Sequence, residues 1–143
     1  MTNAIQRNAD LLEQFSPGIT DHAEHTYRAM FPDLVDHTVD SIYGFAYRRT
    51  AIDLKSRHLM TLAILCTLGG CEGQLDFQLK AALQLGLSPD EIREVFIQVA
   101  VLAGNARATN AARQFQTLLE QRAGLPSSAP RHAAVQNRQA SSA

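Results

Sequence analysis

Along most of the chain apolar residues recur every three to four positions, and no stretch sustains the two-residue alternation of a strand. The pattern predicts an all-α chain. A first, weak helix covers about Asn3 to Phe15 and is broken by Ser16-Pro17-Gly18. A second runs from about Ile19 to Met30. A third begins at Pro32, where the missing N–H costs nothing, and carries Val35, Val39, Ile42 and Ala46 on one face. Asp53 reads as the N-cap of a fourth helix, Leu54 to Leu68. Leu59, Leu62, Ala63, Ile64, Leu65 and Cys66 cover most of its circumference, and a helix apolar all round belongs inside a bundle or at a subunit interface. Gly69-Gly70 ends it.

A fifth helix spans Cys71 to Leu85, closed by Gly86. Ser88-Pro89-Asp90-Glu91 is the clearest local signal: Ser88 caps, Pro89 opens the helix and Glu91 completes a capping box. The sixth helix continues to about Ala103 with Ile92, Val95, Phe96 and Val99 inward. A seventh covers about Arg107 to Arg122 and carries Ala111, Phe115, Leu118 and Leu119. Beyond Gly124 the residues are Ser, Ala, Gln, Pro and Arg, too polar to offset their ordering entropy. The expectation is one helical domain over residues 1–124 and a disordered tail over 125–143.

Composition narrows the function classes. A length of 143 residues suffices for one core. A formal net charge of −1 gives no electrostatic case for nucleic acid or an anionic membrane, and without Trp there is little to stack bases on. The longest apolar run, Leu59 to Leu68, is too short to span a bilayer. No secretory signal precedes the cysteines, Cys66 and Cys71, so a reducing cytoplasm is expected.

Candidate chemistry gathers at Gly69-Gly70. A helix begins there, and its free amides favour anions and can activate a thiol. Helical spacing places Cys71, Gln74 and Gln78 on one face. Glu72 is either a first-turn charge that complements the helix dipole or a functional carboxylate. Cys66-x4-Cys71 is not a CxxC motif, and a metal site would need further ligands, so none is expected. His22 and His25 read as surface residues rather than a metal face, while His37 and His58 are isolated. Arg48, Arg49, Lys55 and Arg57 form either a solvated loop or a carboxylate grip.

Three segments in order resemble the carboxymuconolactone decarboxylase family. They are Tyr43-Gly44 leading to Arg49, Asp53 and Arg57; Leu59 to Leu68 leading through Gly69-Gly70-Cys71-Glu72 to Gln78; and Leu87-Ser88-Pro89-Asp90-Glu91 through Gly104, with Asn110 beyond. The likeness spans roughly residues 40–120. It implies a bundle of about six to seven helices around a central helical hairpin, self-associating as a homotrimer or homohexamer and using no cofactor. It also implies a lyase or isomerase acting by acid/base chemistry on a carboxylated lactone or related oxygenated ring; the charge and composition set out above add the expectation of no nucleic-acid or membrane partner.

Carried over by position, Glu72, Gln78 and Cys71 fall at catalytic places, and Arg49, Arg57 and Tyr43 at substrate-binding ones. Gln78 stands where the family carries a His, and an amide does not shuttle protons at neutral pH. The related alkyl hydroperoxidase D-like branch uses a CxxC pair. Here Gln74 replaces its second thiol, so a peroxidase or disulfide chemistry would have to use Cys66 with Cys71. A non-catalytic oligomeric ligand binder is the remaining alternative.

Overall fold

The computed structural model describes residues 2–125, and among them every regular element is helical. Eight α-helices follow one another: α1 (Ala4–Arg7), α2 (Ala9–Phe15), α3 (Ile19–Ala23), α4 (Pro32–Val39), α5 (Leu54–Leu68), α6 (Glu72–Gln84), α7 (Pro89–Leu102) and α8 (Asn105–Arg122). Helix α3 runs on into a π-helical turn, Glu24–Arg28, and α4 into another, Asp40–Phe45, followed by a 3-10 turn, Ala46–Arg48. This is an all-helical single domain.

The C-terminal half follows local chemistry closely. Asp53 Oδ1 accepts from the Ser56 amide at 2.8 Å and starts α5. Ser88 and Glu91 form the reciprocal capping box of α7, at 3.1 and 2.7 Å. The N-terminal half departs from the expected single helix over Asn3 to Phe15. It breaks at Asn8, whose buried amide nitrogen donates to the Ala4 carbonyl at 2.9 Å and to Asp40 Oδ1 at 3.0 Å. A side chain that bonds its own backbone competes with helix continuation. Gly44 lies against the same residue, where a Cβ would come within 3.2 Å of Asn8 Oδ1.

Two apolar clusters result. The larger joins α5 to α8 through Leu62, Leu79, Ile92, Phe96, Phe115 and Leu118. The smaller gathers Ile5, Leu12, Phe15, Val39, Tyr43 and Tyr47 from the N-terminal layer around Ala81 of α6. Helix α6 therefore faces both. The tail expected from residue 125 lies, apart from Leu125, outside the described residues.

Candidate functional site

Two polar groupings flank α6. The first is a cleft of about 120 Å³ where α5 turns into α6 against α8. Its floor is apolar (Leu65, Cys66, Leu75, Ala111), and Glu72, Cys71, Arg107, Asn110 and Gln114 surround it. Gly69 and Gly70 both have positive φ, 64° and 70°, and make the turn. At Gly69 a second constraint operates, because a Cβ would run into Arg107 Nη1. That nitrogen donates to the Leu68 carbonyl, so Arg107 closes the end of α5 while remaining on the cleft wall. Gln114 Nε2 donates to the Glu72 carbonyl at 2.7 Å and ties the start of α6 to α8.

Both thiols border this cleft, and no disulfide joins them. Burial, reinforced by the neighbouring Cys71, pushes the Cys66 thiol up to about 11, so it keeps its proton at neutral pH. Cys71 directs its hydrogen to the Leu65 carbonyl at 3.4 Å. It stands before the helix rather than in its first turn, at φ −130°. Helical periodicity therefore starts at Glu72, and Cys71, Gln74 and Gln78 do not form one face: Gln74 is exposed and Gln78 turns toward the N-terminal layer.

The second grouping lies on that seam. His58 is fully buried; its Nε2 meets the Gln78 carbonyl at 2.8 Å and its Nδ1 the Tyr47 hydroxyl at 3.1 Å. A carbonyl only accepts, so Nε2 carries the proton. Burial lowers the His58 pKa, only partly opposed by that bond, and keeps the ring neutral. Nδ1 then accepts from Tyr47, whose oxygen in turn accepts from Thr61. Burial pushes Tyr47 up to about 12. Gln78 Nε2 reaches the Tyr43 hydroxyl at 3.4 Å, a long contact, and its Oε1 is buried with no hydrogen-bond partner in the described structure.

The residues singled out by sequence thus separate. Glu72 and Cys71 border the cleft, whereas Gln78 and Tyr43 meet on the seam, about 9 Å further along α6 at 1.5 Å per residue. Arg57 donates to the Arg49 carbonyl at 3.1 Å, and its buried Nε has no partner there. Arg49 is exposed with its guanidinium 5.6 Å from the Phe45 ring. Arg48 pairs with Asp10 and Lys55 with the Gly86 carbonyl, which leaves those two cations occupied in holding the fold. His22 and His25 are exposed.

Sequence reasoning passed over Arg107, Gln114, His58 and Tyr47. Arg107, Asn110 and Gln114 share an i, i+3, i+7 stripe on α8, the one signal that was open to reading.

The profile of the carboxymuconolactone decarboxylase family matches residues 32–117, from the start of α4 into α8. The chain belongs to this family. The matched span contains the cleft and the seam, while α1 to α3 lie outside it. A relative in Paracoccus denitrificans, described as an uncharacterized 15.0 kDa protein in the nqo9-nqo10 intergenic region, is 23% identical over 101 residues. Those residues cover 70% of this chain and 75% of the relative.

Proposed function

We propose that the chain is a small-molecule enzyme of this family, a cofactor-free lyase or isomerase that acts on a carboxylated lactone or related oxygenated ring in the cleft at the α5–α6 turn. The observation that carries this reading is the shared cleft of Glu72 and Arg107, a carboxylate and a guanidinium over an apolar floor. Arg107 replaces Arg49 and Arg57 as the anion anchor, because it alone of the three lines the cleft. Loss of carbon dioxide breaks the carbon–carboxylate bond and sends its electron pair into the ring carbonyl as an enolate. The side-chain amides of Asn110 and Gln114 can hydrogen-bond that developing oxyanion. Glu72 then supplies a proton to the carbon and recovers it from water.

Gln78 stands at the resemblance's histidine position but lies outside this cleft, which supports reading Glu72 as the proton carrier. Wild-type protein and Glu72→Gln are compared on a carboxymuconolactone by release of carbon dioxide. The variant is expected to lose about a hundredfold to ten-thousandfold in kcat, the usual share of a general acid. Equal turnover by both proteins defeats the assignment.

A further inference from the structure

The elbow between α3 and α4 turns outward a set of side chains whose spacing belongs inside. Ala23, Tyr27, Met30 and Leu34 stand at i, i+4, i+7 and i+11, one face of a continuous α-helix. Ala23 is buried in the smaller cluster. The others are not: Tyr27, Met30 and Leu34 are 54%, 68% and 62% exposed, and Phe31 beside them is 57% exposed. The cause is the π-helical turn over Glu24–Arg28. An i→i+5 turn holds one residue more than an α-turn, so the residue after the expected one takes the inward place. Here Arg28 takes it, its side chain 29% exposed and paired with Glu24 and Asp36, while Tyr27 faces outward. Phe31, at φ −138° and ψ 67°, then interrupts the helix before α4. Single π turns are rare and concentrate at functional positions.

We propose that this elbow is a docking surface for a basic amphipathic helix of another protein, with its apolar side chains on Tyr27, Met30, Phe31 and Leu34 and its Lys or Arg residues on the surrounding carboxylates. Charge selects that occupant. Residues 2–47 include seven Asp and Glu, two Arg and no Lys, although the whole chain carries 13 basic and 14 acidic residues. Both Arg are committed, Arg7 to Asp40 and Arg28 to Glu24 and Asp36. Asp33 and Asp21 therefore have no guanidinium partner among the described residues, and Asp21 meets His25 at 3.2 Å. A symmetric contact through the elbow would set these carboxylates against their own copies. An anionic membrane or a nucleic acid would be repelled in the same way. A partner of opposite sign is attracted and registered by them. Composition agrees, because interface cores are enriched in aromatic residues and Met and depleted in Lys. Size agrees as well: at roughly 100 Å² for each large side chain, the four expose on the order of 400 Å², within the about 300–600 Å² range of the largest apolar patches on monomers. An extended peptide finds no sheet edge to pair with among the described residues, whereas a helix brings its apolar side chains to one side with its backbone already bonded. Three of the four residues precede the span that the family profile matches, and none lines the cleft, so the surface is independent of the catalytic reading.

Fluorescence anisotropy with a labelled synthetic helix tests the proposal. The probe is a Leu/Lys peptide of about 18 residues, roughly five turns, with its Leu residues along one face. A second peptide has Glu in place of every Lys, and a third has the Leu and Lys reordered so that the Leu residues share no face. The full chain is compared with the double variant Met30→Ser/Phe31→Ser, with Asp33→Asn, and with Ile64→Ser, which alters an exposed position on α5. Circular dichroism verifies that each variant is folded. Wild type and Ile64→Ser are expected to bind the probe alike and saturably, and the double variant about tenfold or more weakly. Asp33→Asn should bind several-fold more weakly, with a shallower dependence on salt. The Glu peptide and the reordered peptide should each bind wild type about tenfold or more weakly than the probe does. No binding by wild type, or equal binding by the double variant, overturns the elbow as the site. An equal loss on Ile64→Ser moves the contact to α5 and overturns it too. Equal binding of the Glu peptide overturns the basic partner, and equal binding of the reordered peptide overturns the helix. Light scattering tests the remaining occupant: a lower mass for the double variant than for wild type would mean that a second copy covers the elbow, and the proposal would fall.

Discussion

The imidazole of His58 has Phe15 at 5.2 Å edge-on and Tyr47 at 6.0 Å, and both its nitrogens are engaged. Burial strips water from the ring and disfavours its charged form, and a proton added at Nδ1 would also face the Tyr47 hydroxyl hydrogen. Tyr43 and Tyr47 are neutral and Gln78 is uncharged, so no carboxylate among these neighbours offsets the proton. Its pKa in the folded chain accordingly falls below the ordinary 6.5. Below pH 6.5 the unfolded chain binds this proton and the folded chain does not, so stability declines as pH falls until the folded value is reached, with a slope approaching 1.4 kcal/mol per pH unit, roughly. Urea titrations of wild type and His58→Gln between pH 7 and 5 are expected to show this slope in the wild type and a flatter curve in the variant. Parallel curves would mean that His58 is already charged when folded. The partners that fix its state, Tyr47 and the Gln78 carbonyl, lie 11 residues before it and 20 after. No spacing rule connects them, which is why the sequence shows only an isolated histidine.

Helix boundaries were legible wherever the signal sits within a few residues of the boundary it sets. Asp53, Gly69, Ser88 with Pro89, and Gly104 each act on backbone groups beside them, and α5, α7 and the start of α8 fall within a residue or two of expectation. The break at Asn8 was not legible, because it depends on Asp40 in another element. The same distinction divides the site. Cys71 and Glu72 are marked by the double glycine and the helix start beside them, whereas Arg107 reaches the cleft only once α8 has packed on α5 and α6. If local capping governs α7, replacing Ser88 with Ala removes the bond from the Glu91 amide to the Ser88 hydroxyl, while the Ser88 backbone N–H, the main cause that holds the Glu91 carboxylate below its usual range, still donates to it. The expected cost is about 1 kcal/mol in urea unfolding. A change within error would show that tertiary packing alone holds this end of the helix.

At the scale of the molecule, the question is whether two apolar clusters sharing α6 melt as one. Phe15 is the hinge of the smaller cluster: it is 1% exposed and makes edge contacts with Tyr43, Tyr47 and His58 at 5.0 to 5.2 Å. The chain has no Trp and three tyrosines, Tyr27, Tyr43 and Tyr47, all in the N-terminal layer. Near-ultraviolet circular dichroism from tyrosine therefore reports that layer, while the far-ultraviolet signal is weighted to the longer helices α5 to α8. Domains of this size usually unfold in one step, and here Ala81 and the His58–Gln78 bond carry load from one cluster to the other. Wild-type transitions followed at the two wavelengths are expected to coincide. Phe15→Ala should cost about 3–5 kcal/mol in the smaller cluster while leaving the α7 capping box and the aliphatic contacts of α5 to α8 intact. The tyrosine transition should then precede the far-ultraviolet one, because the larger cluster retains its own enclosed core. If both signals of Phe15→Ala instead shift together, the seam couples the layers so tightly that the cleft cannot outlast the N-terminal layer, and the two clusters are energetically one.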